Sequence, residues 1–125
     1  MNTERHILSA FDRDLETVQA LVVKMGGMVE SAIHDAANAL ENRDEELAEA
    51  VRRRDSAIDQ LETQINEEAA RLIALRAPRA TDLRTALTVI KISAILERVG
   101  DYAKNIAKRS HVLVHMPAVE GAGMA

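Results

Sequence analysis

The 125-residue sequence contains no cysteine, two prolines and five glycines. Without cysteine there is no disulfide framework and no zinc–thiolate site. So few turn formers exclude a turn-rich β fold. Aromatic residues make up only 2% of a chain that is 47% hydrophobic. Alanine, leucine, isoleucine and valine must therefore fill the core, which favours close contacts between helices. No apolar run approaches the roughly 20 residues that span a bilayer. Met1 to His6 lack the apolar region of a secretory signal, and a cytoplasmic protein is expected. Positive charge is not in excess: the net charge is −4, which argues against non-specific nucleic-acid binding. There is no Glu-x-x-His pair of the kind that di-iron bundles use. A phosphate loop and a nucleophile beside a base are also lacking. The expectation is a non-enzymatic protein.

What is present is helical periodicity in three long segments. The first runs from about Ile7 to Leu40, with apolar residues at three-four spacing from Leu15 through Val18, Val22, Met25, Val29, Ile33 and Ala36 to Leu40. Gly26-Gly27 lies inside it. A mid-helix glycine costs about 1 kcal/mol against alanine, so the pair predicts a bend or, preferably, the close approach of a neighbouring helix. Glu41 to Asp44 form a short polar break, with Asp44 as helix N-cap. The second segment carries Leu47, Val51, Ile58, Leu61, Ile65, Ala69, Leu72 and Leu75, close to a heptad pattern. Arg76-Ala77-Pro78 ends it, because a residue before proline is pushed out of the α region. The third starts between Pro78 and Thr81, with a core stripe of Val89, Ile92, Leu96, Val99, Ala103 and Ile106 and with Leu83, Leu87 and Ile90 beside it. It fades between His111 and Met116. The fold expected is all-α: an elongated antiparallel three-helix bundle over residues 1–116, followed by a flexible tail over 117–125.

Acidic residues stand where they lack local partners. Glu97 and Asp101 are four apart, which leaves them about 40° apart and about 6 Å along the axis on one helical face. Ser93, Ala94 and Gly100, the other same-face neighbours of Glu97, are not basic. In the second helix Asp55, Asp59, Glu62 and Asn66 form another stripe. Arg52 can serve Asp55, but no cation of that helix serves Asp59 or Glu62. Folding the second and third helices back at Ala77 brings Glu97 level with about Ala57, and Asp101 level with about Arg53. Asp55 and Asp59 then share their height. Carboxylates pooled in this way hold hard or borderline cations. The alternative is a solvated acidic face, partly neutralised by Arg98 and Lys104. Asp82 lies about 22 Å from Glu97 along the helix and reads as a first-turn acid serving the helix dipole. His111 and His115, four apart, read as a frayed helix end or as a zinc clasp. Lys104, Lys108 and Arg109 read as cations complementing the helix C-terminus.

The run Leu96-Glu97-Arg98-Val99-Gly100-Asp101-Tyr102-Ala103-Lys104-Asn105-Ile106-Ala107, with Pro78, Asp82-Leu83-Arg84 and Lys91 before it, resembles the N-terminal half of PhoU-family phosphate-signalling proteins. His6, Phe11, Met25 to Glu30, Ala36 and Asp44 to Glu62 extend the resemblance over about Arg5 to Ser110. It implies a three-helix repeat that full-length members carry twice, and repression of the phosphate-starvation response. It also implies contact with a phosphate-specific ABC transporter, at its ATPase, and with a sensor histidine kinase. Family members bind iron or other metals through a Glu/Asp-x-x-x-Asp motif, which Glu97 and Asp101 match. The expected site is thus Glu97 and Asp101 with Asp55, Asp59 and Glu62, holding a divalent or trivalent ion, iron or zinc. A single repeat leaves apolar surface uncovered on the side where its twin belongs, which favours a homodimer. The alternative function is a structural helical module without a metal site.

Overall fold

A computed structural model describes residues 2–114, with side chains over 10–110 and at 112 and 113. Three helices follow one another: α1 (Asn2–Asn42), α2 (Glu45–Arg76) and α3 (Ala80–Val114). At about 1.5 Å per residue, α1 is about 60 Å long, longer than the periodicity predicts because it starts at Asn2. The connections are two and three residues long, so successive helices run antiparallel and every pair of helices packs together. The expected three-helix bundle is observed. The predicted tail, 117–125, lies outside the described residues, as does His115.

The corners are built as their residues dictate. Asp44 caps α2: its Oδ1 accepts the Leu47 N–H at 3.0 Å, and Glu45 and Glu46 follow in the first turn, where the dipole favours acids. At the other end Ala77 adopts a left-handed conformation (φ 44°), and its N–H donates to the Ile73 carbonyl at 3.0 Å. Pro78 then prevents α2 from continuing. Arg76 Nε donates to Asp14 Oδ2 at 3.0 Å, clasping the foot of α2 to α1.

The main core is a column of Val18, Met25, Val29, Ile58 and Ile65, with alanines between them. Phe11, Leu72 and Ala86 form a second cluster near the foot. The seam of α3 differs from the expected one. Its buried positions are Ala86, Val89, Ser93, Gly100, Ala103, Ala107 and Ser110, whereas Ile92 and Leu87 are exposed. Ile33 and Leu40 of α1 and Leu75 of α2 are exposed too, against expectation. The close approach expected at Gly26-Gly27 is absent: a Cβ at either position would meet nothing within 4 Å. It occurs instead at Gly100, where a Cβ would stand 3.5 Å from Ile58 Cγ2 and 3.7 Å from Val29 Cγ2. Small residues in α3 let all three helices converge there. Buried Ser93 donates its hydroxyl to the Ile90 carbonyl at 2.7 Å and so carries no unmet hydrogen bond.

Candidate metal centre

The acidic side chains are fixed by the two helices that flank Gly100. Because Gly100 buries against Ile58, the residues beside it on α3, Glu97 and Asp101, are turned toward α2. On α2, Ile58 is flanked by Asp55 and Asp59. One carboxylate oxygen from each of Asp55, Asp59 and Asp101 lies within 4.8 Å of the others. Asp55 is buried, Asp101 half-buried and Asp59 exposed, so the cluster runs from the interior to solvent. Glu97 is half-buried and lies within hydrogen-bond reach of both Asp59 and Asp101. Glu62, one turn along α2, adds its charge from further out and is outside the close triad.

This crowding alters the acids. Loss of solvent first, then the charge of Asp101, push the Glu97 carboxyl up to about 7. The hydrogen bond to Asp101 and the charges of Glu62 and Asp59 add to the shift. A proton retained on Glu97 can be donated to Asp101 or Asp59. Asp59 is raised by desolvation and by Asp55 and Asp101, while Glu97 and Lys104 oppose the shift. Glu62 is raised by desolvation and by Asp59 and Asp101. Like charges that cannot all ionise are relieved either by protons or by a cation.

One cation is already present. Lys104 Nζ stands 3.3 Å from Asp55 Oδ2, so Lys104 does not simply serve the end of its helix. Arg52, the expected partner of Asp55, pairs with Glu49 at 3.3 Å. The lysine was in the sequence, and the signal for its reach is mechanical: long helical side chains lean toward the helix N-terminus, here toward the level of Asp101. Asp55 Oδ1 has no hydrogen-bond partner, and Asp55 is only 4% exposed. A buried carboxylate oxygen without a partner is costly. Among clustered carboxylates such an oxygen is a ligand position suited to a hard or borderline cation. The residues present therefore fit an ion.

A profile described as PhoU domain matches residues 22–110. The chain belongs to the PhoU family. It is 46% identical over 114 residues to the phosphate-specific transport system accessory protein PhoU homolog of Zymomonas mobilis, a match covering 91% of this chain and 48% of that protein. The PhoU protein of Escherichia coli is 40% identical over 108 residues, 86% of this chain and 45% of that one. The crystal structure of PhoU from Pseudomonas aeruginosa superposes with a TM-score of 0.82 at 42% identity, over 83% of this chain and 50% of that chain. The chain spans about half the length of the curated PhoU relatives it matches. No helix of the described residues is long and apolar enough to cross a membrane.

Proposed function

We propose that this chain is a non-enzymatic regulator of phosphate uptake whose α2/α3 face takes up a divalent or trivalent metal ion. The relatives' names supply the phosphate-transport setting. The observation that carries the metal reading is the unpartnered oxygen of buried Asp55 inside a cluster of carboxylates from two helices. Asp55, Asp59 and Asp101 would hold the ion, with Glu97 and Glu62 beside them. Iron and zinc are the ions proposed. The partners proposed are the ATPase of a phosphate ABC transporter and a sensor histidine kinase, met in the cytoplasm, with the chain working as a homodimer. Nucleic acid and direct insertion into a membrane play no part in this reading.

A specific observation favours the rival reading of a helical module without a metal: Lys104 already neutralises part of the cluster. Metal content decides between the two. Protein purified without chelators should carry iron or zinc, and Glu97→Ala with Asp101→Ala should lose it while remaining helical. Equal metal content in wild type and double variant would leave the helical module standing. Co-purification of the transporter ATPase from phosphate-replete cells tests the partner, and its absence there would remove the transporter from the reading.

A further inference from the structure

Between α1 and α2 lies a cavity of about 340 Å³, lined by residues of these two helices alone. Its floor is apolar, made by buried Ile58 and half-buried Met28. Gly27 opens the α1 wall: a Cβ there would meet nothing within 4 Å. Gly27 lies mid-helix, where glycine weakens the backbone, and no neighbouring helix uses the space it leaves. Helix stability given up to keep a surface notch open fits a binding role, in which function is retained at the expense of stability.

A cation stands toward each end of this cavity. Arg54 is held in place: Nη2 donates to Asp35 Oδ2 at 2.6 Å, and Nε donates to the Ala50 carbonyl at 3.3 Å. Its charge is thus already matched. Lys24 makes no ion pair among the described residues, so its ammonium is the unmatched charge of the groove. The Arg54–Asp35 and Arg76–Asp14 bonds set α1 and α2 level with each other. A second cavity, of about 210 Å³, lies about 20 Å further toward the foot of the same groove, beyond Lys24. Leu72 and the 65%-exposed Leu75 give it an apolar wall. Its own charges pair off, Arg76 with Asp14 and Arg71 with Glu68.

We propose that the α1/α2 groove receives a helix of a partner protein, an amphipathic segment that sets one large apolar side chain in each cavity and a carboxylate against Lys24. Two cavities in one line favour this elongated occupant over a small molecule. Gly27, Ser31 and Ala57 are exposed, so a free ligand between them would keep much of its surface wet, whereas small-molecule sites bury most of theirs. A partner helix brings its own cover, and its anchors fill the notches as hot-spot side chains do. Anchors about 20 Å apart stand about fourteen residues apart on a helix, which returns them to one face. The acid lies between them, one turn from the anchor that meets Met28. Opposed charges of this kind fix the register of a pairing. The groove opens on the flank of α2 away from Asp55 and Asp59, so the proposal rests on no metal.

The probe is a synthetic helical peptide with two phenylalanines about fourteen residues apart and a glutamate between them, one turn from the first. Fluorescence anisotropy of the labelled peptide should show saturable binding to the full chain, with amide shifts centred on Gly27 and Ala57. Lys24→Glu should weaken binding by about tenfold or more. Lysine in place of the peptide's glutamate should do the same, and Lys24→Glu should restore binding of that lysine peptide. Gly27→Leu, which fills the notch, should abolish binding with an unchanged helical spectrum. Phenylbutyrate, an aromatic ring and a carboxylate without a helix, should bind far more weakly than the peptide. No binding at millimolar peptide, equal binding of the two peptides, or binding undiminished by Gly27→Leu overturns the proposal, as does phenylbutyrate binding as tightly as the peptide. Metal content and co-purification of the transporter ATPase are read separately, so failure here leaves the phosphate-uptake reading as it stands.

Discussion

Lys104 holds one oxygen of buried Asp55 at 3.3 Å and leaves the other without a partner. The ammonium thus occupies ground that a metal ion would also claim. Removing it has two opposite effects. Lys104→Met strips a buried carboxylate of its counter-charge and should destabilise the metal-free protein by about 1–3 kcal/mol, read by chemical denaturation. The same change removes a competitor and a repelling charge from the cluster. Zinc affinity measured by calorimetry should rise about tenfold, because a unit charge near 4 Å is worth more than 1.4 kcal/mol at the effective dielectric of a protein surface. Unchanged or weaker zinc binding would mean that the ion does not sit against Lys104.

The metal-free protein should lose stability as pH rises toward neutrality. Glu97 keeps its proton in the folded chain up to about 7, against an ordinary value of 4.5. A raised acid stabilises the fold fully below its unfolded value, and that contribution disappears as pH climbs through the folded value. Asp59 and Glu62 are shifted in the same direction. The charges acting on Glu97 are Asp59 and Glu62 from α2 and Asp101 from α3, all acidic. The melting temperature of metal-free protein should drop by a few degrees between about pH 5 and pH 8, and Glu97→Gln should flatten that drop. A wild-type profile that rises over this range would contradict the assignment.

Gly26, Gly27 and Ala77 are placed contrary to backbone preference. Gly26 and Gly27 sit mid-helix with open space where a Cβ would go. Gly26→Ala with Gly27→Ala should stabilise by about 1–2 kcal/mol. Ala77 ends α2 with φ 44°, a conformation glycine adopts without steric cost. Ala77→Gly should add about 0.5–1 kcal/mol. Thermal unfolding of the three single variants separates these contributions, and a loss at Gly26 or Gly27 would show that the flexibility of α1 is needed for folding.

Bulk at Gly100 should act in the other direction. An alanine Cβ there would make ordinary contacts with Ile58 and Val29, so Gly100→Ala should be tolerated. Gly100→Leu must displace buried side chains and should cost about 1–3 kcal/mol by denaturant titration. Equal stability of the alanine and leucine variants would mean that the helices are not in close contact at this level.

Much of this was legible in the sequence. Asp44 and Pro78 mark both corners because capping and the exclusion of the α region before proline are local chemistry. The height argument from Ala77 brings Asp55, Asp59, Glu97 and Asp101 together because helical rise is constant. The sequence was less clear about which apolar residues are buried. Ile33, Leu40 and Ile92 are exposed, and hydropathy does not distinguish a residue facing its own bundle from one facing outward. Ala86, Ser93 and Gly100 carry little hydropathy, yet they form the inner seam of α3 because close packing there selects for size. Arg52, which helical spacing offers to Asp55, pairs with Glu49, whereas Lys104, one of the two cations expected to neutralise the cluster, pairs with Asp55. A pairing across helices depends on side-chain reach, which residue spacing along one helix does not encode.

Ala86, Ser93, Gly100 and Ala107 recur every seven residues along α3. Their missing side-chain volume acts as a spacer of fixed thickness. It determines how far the carboxylates of α3 stand from those of α2, and so the radius of any ion the two walls can grip together. A substitution in that column touches no oxygen of the cluster, yet it would widen the gap for every pair of opposed acids at once. Any choice between small and large cations at a site there would thus be set by residues that never meet the ion.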